Sequence, residues 1–180
     1  MGRFWGRVPA CASAVAALVA GPAGLPASAQ GRGGGGGALV ACVGSQTIRF
    51  SPGMTLEARP TQVRATACYS CTGTDSAVRW GTSVIEGDGL VSCLSNAAPA
   101  VEDITWNTGE HSKIAYRMPD ALAVAGETVA PAPAPGKVIT GRYKGHFVLS
   151  PGAQLSLSPL ECASNRGVEL ISGPVTLAVL

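Results

Sequence analysis

The chain has 180 residues, 46% of them hydrophobic and only 13% charged, and its 13 basic and 11 acidic side chains leave a formal charge of +2. With no Lys/Arg cluster it lacks the electrostatic footprint of a nucleic-acid binder, whose affinity rests largely on phosphate contacts. No apolar stretch approaches the roughly 20 residues a spanning helix needs, so neither nucleic acid nor a membrane span is expected.

Arg3 and Arg7 precede the apolar run Ala12 to Ala20, a Gly21-Pro22 break and Ala27-Ser28-Ala29. That order is the pattern of a secretory signal peptide with an A-x-A cleavage site over residues 1–29. A lipoprotein anchor at Cys11 fails on order, because Cys11 precedes the apolar run. Cleavage would remove two basic residues and no acidic one, leaving 180 − 29 = 151 residues with 11 − 11 = 0 formal charge. That is the size of one domain with one core. Residues 30–37, almost all glycine, read as a flexible tether, and 38–180 as a single β domain.

From Ala38 onward the pattern has period two. Ile48 and Phe50 alternate with Thr47 and Arg49, Val63, Ala65 and Ala67 with Arg64 and Thr66, and Ile114 and Tyr116 with Lys113 and Arg117. Such alternation predicts half-buried strands. Turn signals separate them at Ser51-Pro52-Gly53, Thr72 to Asp75, Glu86 to Gly89, Asn107-Thr108-Gly109, Ser150-Pro151-Gly152, Asn165-Arg166-Gly167 and Ser172-Gly173-Pro174. Little room is left for helix; only Asp120 to Thr128 has a suitable composition, and Gly126 and the flanking prolines oppose it. The expected fold is all-β, an antiparallel β-sandwich or flattened β-barrel.

One hairpin can be specified in detail. A three-residue loop Asn107-Thr108-Gly109, closed by glycine in the left-handed conformation, sets Trp106 opposite Glu110 and puts Ile104, Trp106, Ile114 and Tyr116 on one face. A two-residue turn at Thr108-Gly109 would mix the faces. Further on, Val129 to Gly136 alternates alanine with proline and reads as a stiff surface connection in extended geometry.

Cys68-x-x-Cys71 raises three possibilities. A redox motif needs a helix N-terminus to lower the thiol pKa, and the strand pattern here runs into a Thr/Gly turn. A zinc site needs four converging ligands, and no second C-x-x-C or Cys-x-x-His completes one. Structural disulfides in an exported domain fit better. The five cysteines beyond Ala29 cannot all pair with one another, and four paired plus one left over allows roughly 15 arrangements.

Taken in order, Ala41 to Thr47, Ser51 to Leu56, Ser92-Cys93-Leu94, Ile104 to Gly109, Thr140 to Gly145 and Leu160-Glu161-Cys162 resemble a group of small secreted β-rich proteins from high-GC Gram-positive bacteria. The resemblance implies export and a β fold and carries over no catalytic residue. Its four cysteines match Cys42, Cys71, Cys93 and Cys162, which makes Cys68 the one left over, capped or available to join two copies as a dimer.

Signatures of catalysis are absent. There is no G-x-S-x-G or H-E-x-x-H, and His111 and His146 are far apart in sequence. His111 is expected to lie exposed just beyond a hairpin turn and His146 within a strand. The acid pairs Glu86/Asp88 and Glu102/Asp103 read as solvated turn acids. Trp106 has the parity of a core residue, whereas Trp80, between Arg79 and Gly81, is the candidate for an exposed stacking platform. The expectation is a secreted, non-catalytic module with no cofactor or metal, acting on an extracellular or cell-wall ligand. A carbohydrate-binding module and an extracellular hydrolase are the alternatives.

Overall fold

The computed structural model describes residues 38–94, 98–117, 134–150 and 159–180. The signal and tether readings, and the helix-friendly segment from Asp120 to Thr128, lie outside these residues. The described strands are β1 (Val40–Met54), β2 (Arg59–Thr72), β3 (Trp80–Val91), β4 (Ala100–Trp106), β5 (His111–Tyr116), β6 (Ala134–Gly141), β7 (Phe147–Ser150) and β8 (Val168–Val179). Each pairs antiparallel with the next, and β8 pairs back onto β1, so the sheet forms one ring. The helix α1 (Pro159–Cys162) has four residues and precedes β8.

The all-β expectation holds, and it holds for the reason that the period implied. On β2, Thr61, Ala65, Ala67, Tyr69 and Cys71 point inward and are buried, while the even-numbered residues between them face out. The β4–β5 hairpin has the expected register, with Trp106 N–H donating to the Glu110 carbonyl at 2.9 Å and Ile104 opposite Ser112. Gly109 sits at φ +82°, as the three-residue loop requires. Ile104, Trp106, Ile114 and Tyr116 are all buried.

Three expected turns are instead parts of strands. Ser51-Pro52-Gly53 belongs to β1, where the β1–β8 register shifts between Arg49 and Met54. Glu86 to Gly89 lies inside β3, and Ser172-Gly173-Pro174 inside β8. At Gly87 the cause is space rather than turning, because a Cβ there would stand 2.7 Å from the Pro99 carbonyl oxygen. Ala134, Pro135 and Gly136, expected in a surface connection, begin β6.

The interior packs as two clusters, one toward each end of the ring. The first surrounds Trp106 with Tyr69, Ile104, Ile114, Tyr116, Val138 and Leu177. The second gathers Phe50, Met54, Val91, Val168 and Ile171 around Cys93 and Cys162. Burying a side chain of this size contributes roughly 1.5–3 kcal/mol. Glycine makes room for the aromatics: Tyr69 lies across the ladders from Gly44 and Gly81, Trp106 across from Gly81, and Tyr116 across from Gly136.

Two disulfides join the four cysteines that the resemblance singled out, Cys42 to Cys71 and Cys93 to Cys162. The first bridges directly opposed residues of β1 and β2. The second ties the segment after β3 to α1, 69 residues away. Cys68 corrects the expectation. It too is disulfide-bonded, and among the described residues no cysteine is free.

Candidate functional site

Three groups of polar or aromatic residues stand out, one inside the ring, one closing its end and one on its outer face. Inside, Glu102 has the same parity on β4 as Ile104 and Trp106 and is only 1% exposed. It is therefore no solvated acid; its neighbour Asp103 is solvated, facing out toward Lys113 at 3.6 Å, but it too lies within β4 rather than in a turn. Tyr69 donates its hydroxyl to Glu102 Oε1 at 2.8 Å, and Tyr116 donates to Oε2 at 2.6 Å. Ser83 Oγ stands beside the carboxyl and favours its charged form, yet makes no hydrogen bond of ordinary geometry.

Burial raises the Glu102 pKa against the lowering effect of its hydroxyl neighbours. Both tyrosines are held well above their usual range, first by burial and then by the adjacent Glu102 charge. With both carboxyl oxygens occupied by donors from two other strands, this network fixes the packing of β2, β4 and β5.

At the end of the ring, Asp75 follows β2 and accepts from Arg142 Nη2 and from the Tyr143 hydroxyl, each at 2.6 Å. Arg142 also bonds Glu110 in the β4–β5 loop. The Tyr143 hydrogen bond and the Arg142 guanidinium hold the Asp75 carboxyl below its ordinary value. Tyr143 is pushed up to about 12, by burial first and then by Asp75. Its φ of +65°, unusual for a residue with a bulky side chain, aims the ring edge-on at Trp106, 6.0 Å away. The cluster thus locks three loops over the core.

On the outer face, Trp80 opens β3 and is 51% exposed. Asn107 holds its backbone from the neighbouring hairpin. The Asn107 side-chain oxygen accepts from the N–H groups of Arg79 at 2.7 Å and Trp80 at 3.1 Å, while Asn107 N–H donates to the Trp80 carbonyl at 3.0 Å. The Asn107 amide donates to the Ala77 carbonyl at 2.9 Å. Around the indole the ladders bring Ser70, opposite Trp80, and the row Thr82, Thr105 and His111. An exposed aromatic beside polar groups on one sheet face is what the carbohydrate-binding alternative requires. Tyr69, Trp106 and Tyr116 are buried and take no part in it.

The remaining candidates are resolved by geometry. His111 is exposed as expected, with Thr105 Oγ1 at 3.2 Å and Asp103 Oδ1 at 3.8 Å. Both approach the same ring nitrogen, Nδ1, whereas a proton relay needs the nucleophile and the orienting acid on opposite nitrogens. His146 lies in the turn before β7 rather than in a strand, its Nδ1 2.8 Å from the Leu180 carbonyl oxygen. Glu86 and Asp88 are exposed, but on β3 rather than in a turn, and Glu86 pairs with Arg64 at 2.6 Å. Among the described residues no three His, Cys, Asp or Glu side chains converge as metal ligands, and no helix is long and apolar enough to cross a membrane.

Sequence reasoning missed Glu102 and Asn107. The signal for Glu102 was its spacing of two from Ile104. Asn107 gave none, since its role depends on residues 27 to 30 positions upstream. In comparisons with protein-family models, curated proteins and solved structures, nothing matches the chain.

Proposed function

We propose that the chain is a secreted, non-catalytic binding module whose ring of strands closes as a β-barrel and whose outer face around Trp80 binds saccharide. The observation that carries this reading is the clamped exposure of Trp80. A half-exposed tryptophan whose backbone N–H and C=O are both bonded to Asn107 presents its indole to solvent from a fixed stretch of backbone. Fixing it in advance lowers the ordering cost of binding. Short hydroxyls beside it supply the donors and acceptors that a sugar ring needs around a stacked face.

Export is supported by the two disulfides, since thiols in a reducing cytosol remain reduced. The binding role is favoured over hydrolysis because the best-placed histidine offers one nitrogen to both of its neighbours. The test is retention of the secreted protein on insoluble polysaccharides and cell-wall material, wild type against Trp80→Ala. Taking the roughly 1–3 kcal/mol of a nucleobase stacked on an aromatic ring as the scale, the variant should bind roughly fivefold more weakly or worse while unfolding at the same denaturant concentration. Equal retention of both proteins would remove Trp80 from the site.

A further inference from the structure

Resting on the saccharide-binding reading, we infer that the site continues along the outer face of β3 and takes several units of a neutral, extended glycan. From Trp80 the outward positions of β3 are Thr82, Val84, Glu86, Asp88 and Leu90, alternating with the inward residues. At the far end lies a depression of about 610 Å³. Its walls include Pro60 and Leu90, and Ser51, Gln62 and Asp88 provide polar groups. Ser51 pairs with Gln62, and Gln62 with Asp88, so three adjacent strands bring these groups to one spot.

Length and charge select the occupant. Asp88 stands eight positions beyond Trp80, about 27 Å along an antiparallel strand, so a single sugar cannot reach from the indole to the depression. Beside this stretch Arg49, Arg64 and Lys113 balance Glu86, Asp88 and Asp103, three cations against three anions, with Arg64 paired to Glu86 and Lys113 to Asp103. A balanced face gives an anionic polymer no net attraction, whereas amide, hydroxyl and carboxylate groups beside exposed Val84 and Leu90 match the hydroxyl edges and apolar faces of a neutral glycan. Two separated subsites on one rigid strand make the second contact intramolecular, so affinity should grow with chain length until both are filled.

The test is calorimetric titration of the whole secreted protein with β-1,4-linked glucose and β-1,4-linked N-acetylglucosamine oligomers, from dimer to hexamer. Wild type, Trp80→Ala and the double variant Gln62→Ala/Asp88→Ala are compared after their unfolding curves have been shown to coincide. In at least one series, hexamer should bind wild type at least tenfold more tightly than dimer. Trp80→Ala should weaken every length, and the double variant should lose at least fivefold on hexamer while leaving dimer unchanged. Affinity independent of length, or a double variant indistinguishable from wild type on hexamer, overturns the extended site. Failure of both series to bind also overturns it. The saccharide reading survives any of these if Trp80-dependent retention on insoluble polysaccharide persists, and falls only with that retention.

Discussion

Replacing Glu102 with leucine tests what the buried network contributes. The substitution removes the acceptor of two buried hydroxyls, Tyr69 at 2.8 Å and Tyr116 at 2.6 Å. A buried polar group left without a partner costs roughly 1–3 kcal/mol, about 2–6 kcal/mol for the pair. Losing a desolvated carboxyl offsets part of this, and a net loss of about 3 kcal/mol, roughly 6–12 °C in Tm, is expected. Glu102→Leu combined with Tyr69→Phe and Tyr116→Phe should return to within about 1 kcal/mol of wild type, because an apolar trio leaves nothing unsatisfied. Equilibrium urea unfolding under non-reducing conditions measures all three. The reasoning is refuted if the single variant matches wild type, or if the triple variant is no more stable than the single. The pH dependence has a definite sign. Because the folded carboxyl is raised above its ordinary 4.5, the folded state keeps a proton that the unfolded chain has released. This contribution is full below 4.5 and is lost as pH rises through the folded pKa. Glu102→Gln should flatten that slope.

Asp75 should give the opposite limb. Its folded pKa is lowered from 3.8, so its contribution is present above that value and lost as pH falls through the folded pKa, and Asp75→Asn should remove this acid-side loss in unfolding curves taken between neutral pH and pH 2. Asn107→Ala strips the acceptor from two backbone N–H groups beside Trp80 and should cost about 1–2 kcal/mol of stability while also weakening polysaccharide retention, with Asn107→Asp restoring part of both. For the disulfides, the chain-entropy relation gives about 4.4 kcal/mol for the 69-residue separation of Cys93 and Cys162 and about 3.6 kcal/mol for the 29-residue separation of Cys42 and Cys71. The paired Cys→Ser variant at Cys93 and Cys162 should accordingly unfold at the lower denaturant concentration of the two.

What was legible in the sequence was what one strand or one hairpin determines alone. The parity of Ile104, Trp106, Ile114 and Tyr116, and the left-handed glycine of a three-residue loop, are local properties, and the register followed from them. Glycine was the main source of error. At Gly109 it turns the chain, but Gly87 and Gly136 lie within strands because a neighbouring backbone or an aromatic ring occupies the place of a Cβ. A turn signal and a packing spacer look the same in one dimension. Glu102 was misread for a related reason: its charge argued for solvent while its spacing argued for the interior. Spacing prevailed because two tyrosines from other strands complete its hydrogen bonds.

Exposure alone would not single out Trp80, since lone apolar side chains on a surface are ordinary. Phe147 is more exposed, at 65% against 51%. The difference lies in the surroundings. Phe147 stands on a strand of four residues, its outward neighbours Leu149 and Leu180 are apolar, and its polar contact is Lys137, 5.9 Å from the ring centre. Such a face offers area but few hydrogen-bonding groups to orient a ligand. Trp80 is bonded on both sides of its backbone to a second hairpin, and that hairpin is itself tied to Asp75 through Glu110 and Arg142. A side chain left open on backbone that the fold holds this firmly, among outward hydroxyls of Ser70, Thr82 and Thr105, suits the proposed stacking role better than Phe147 does.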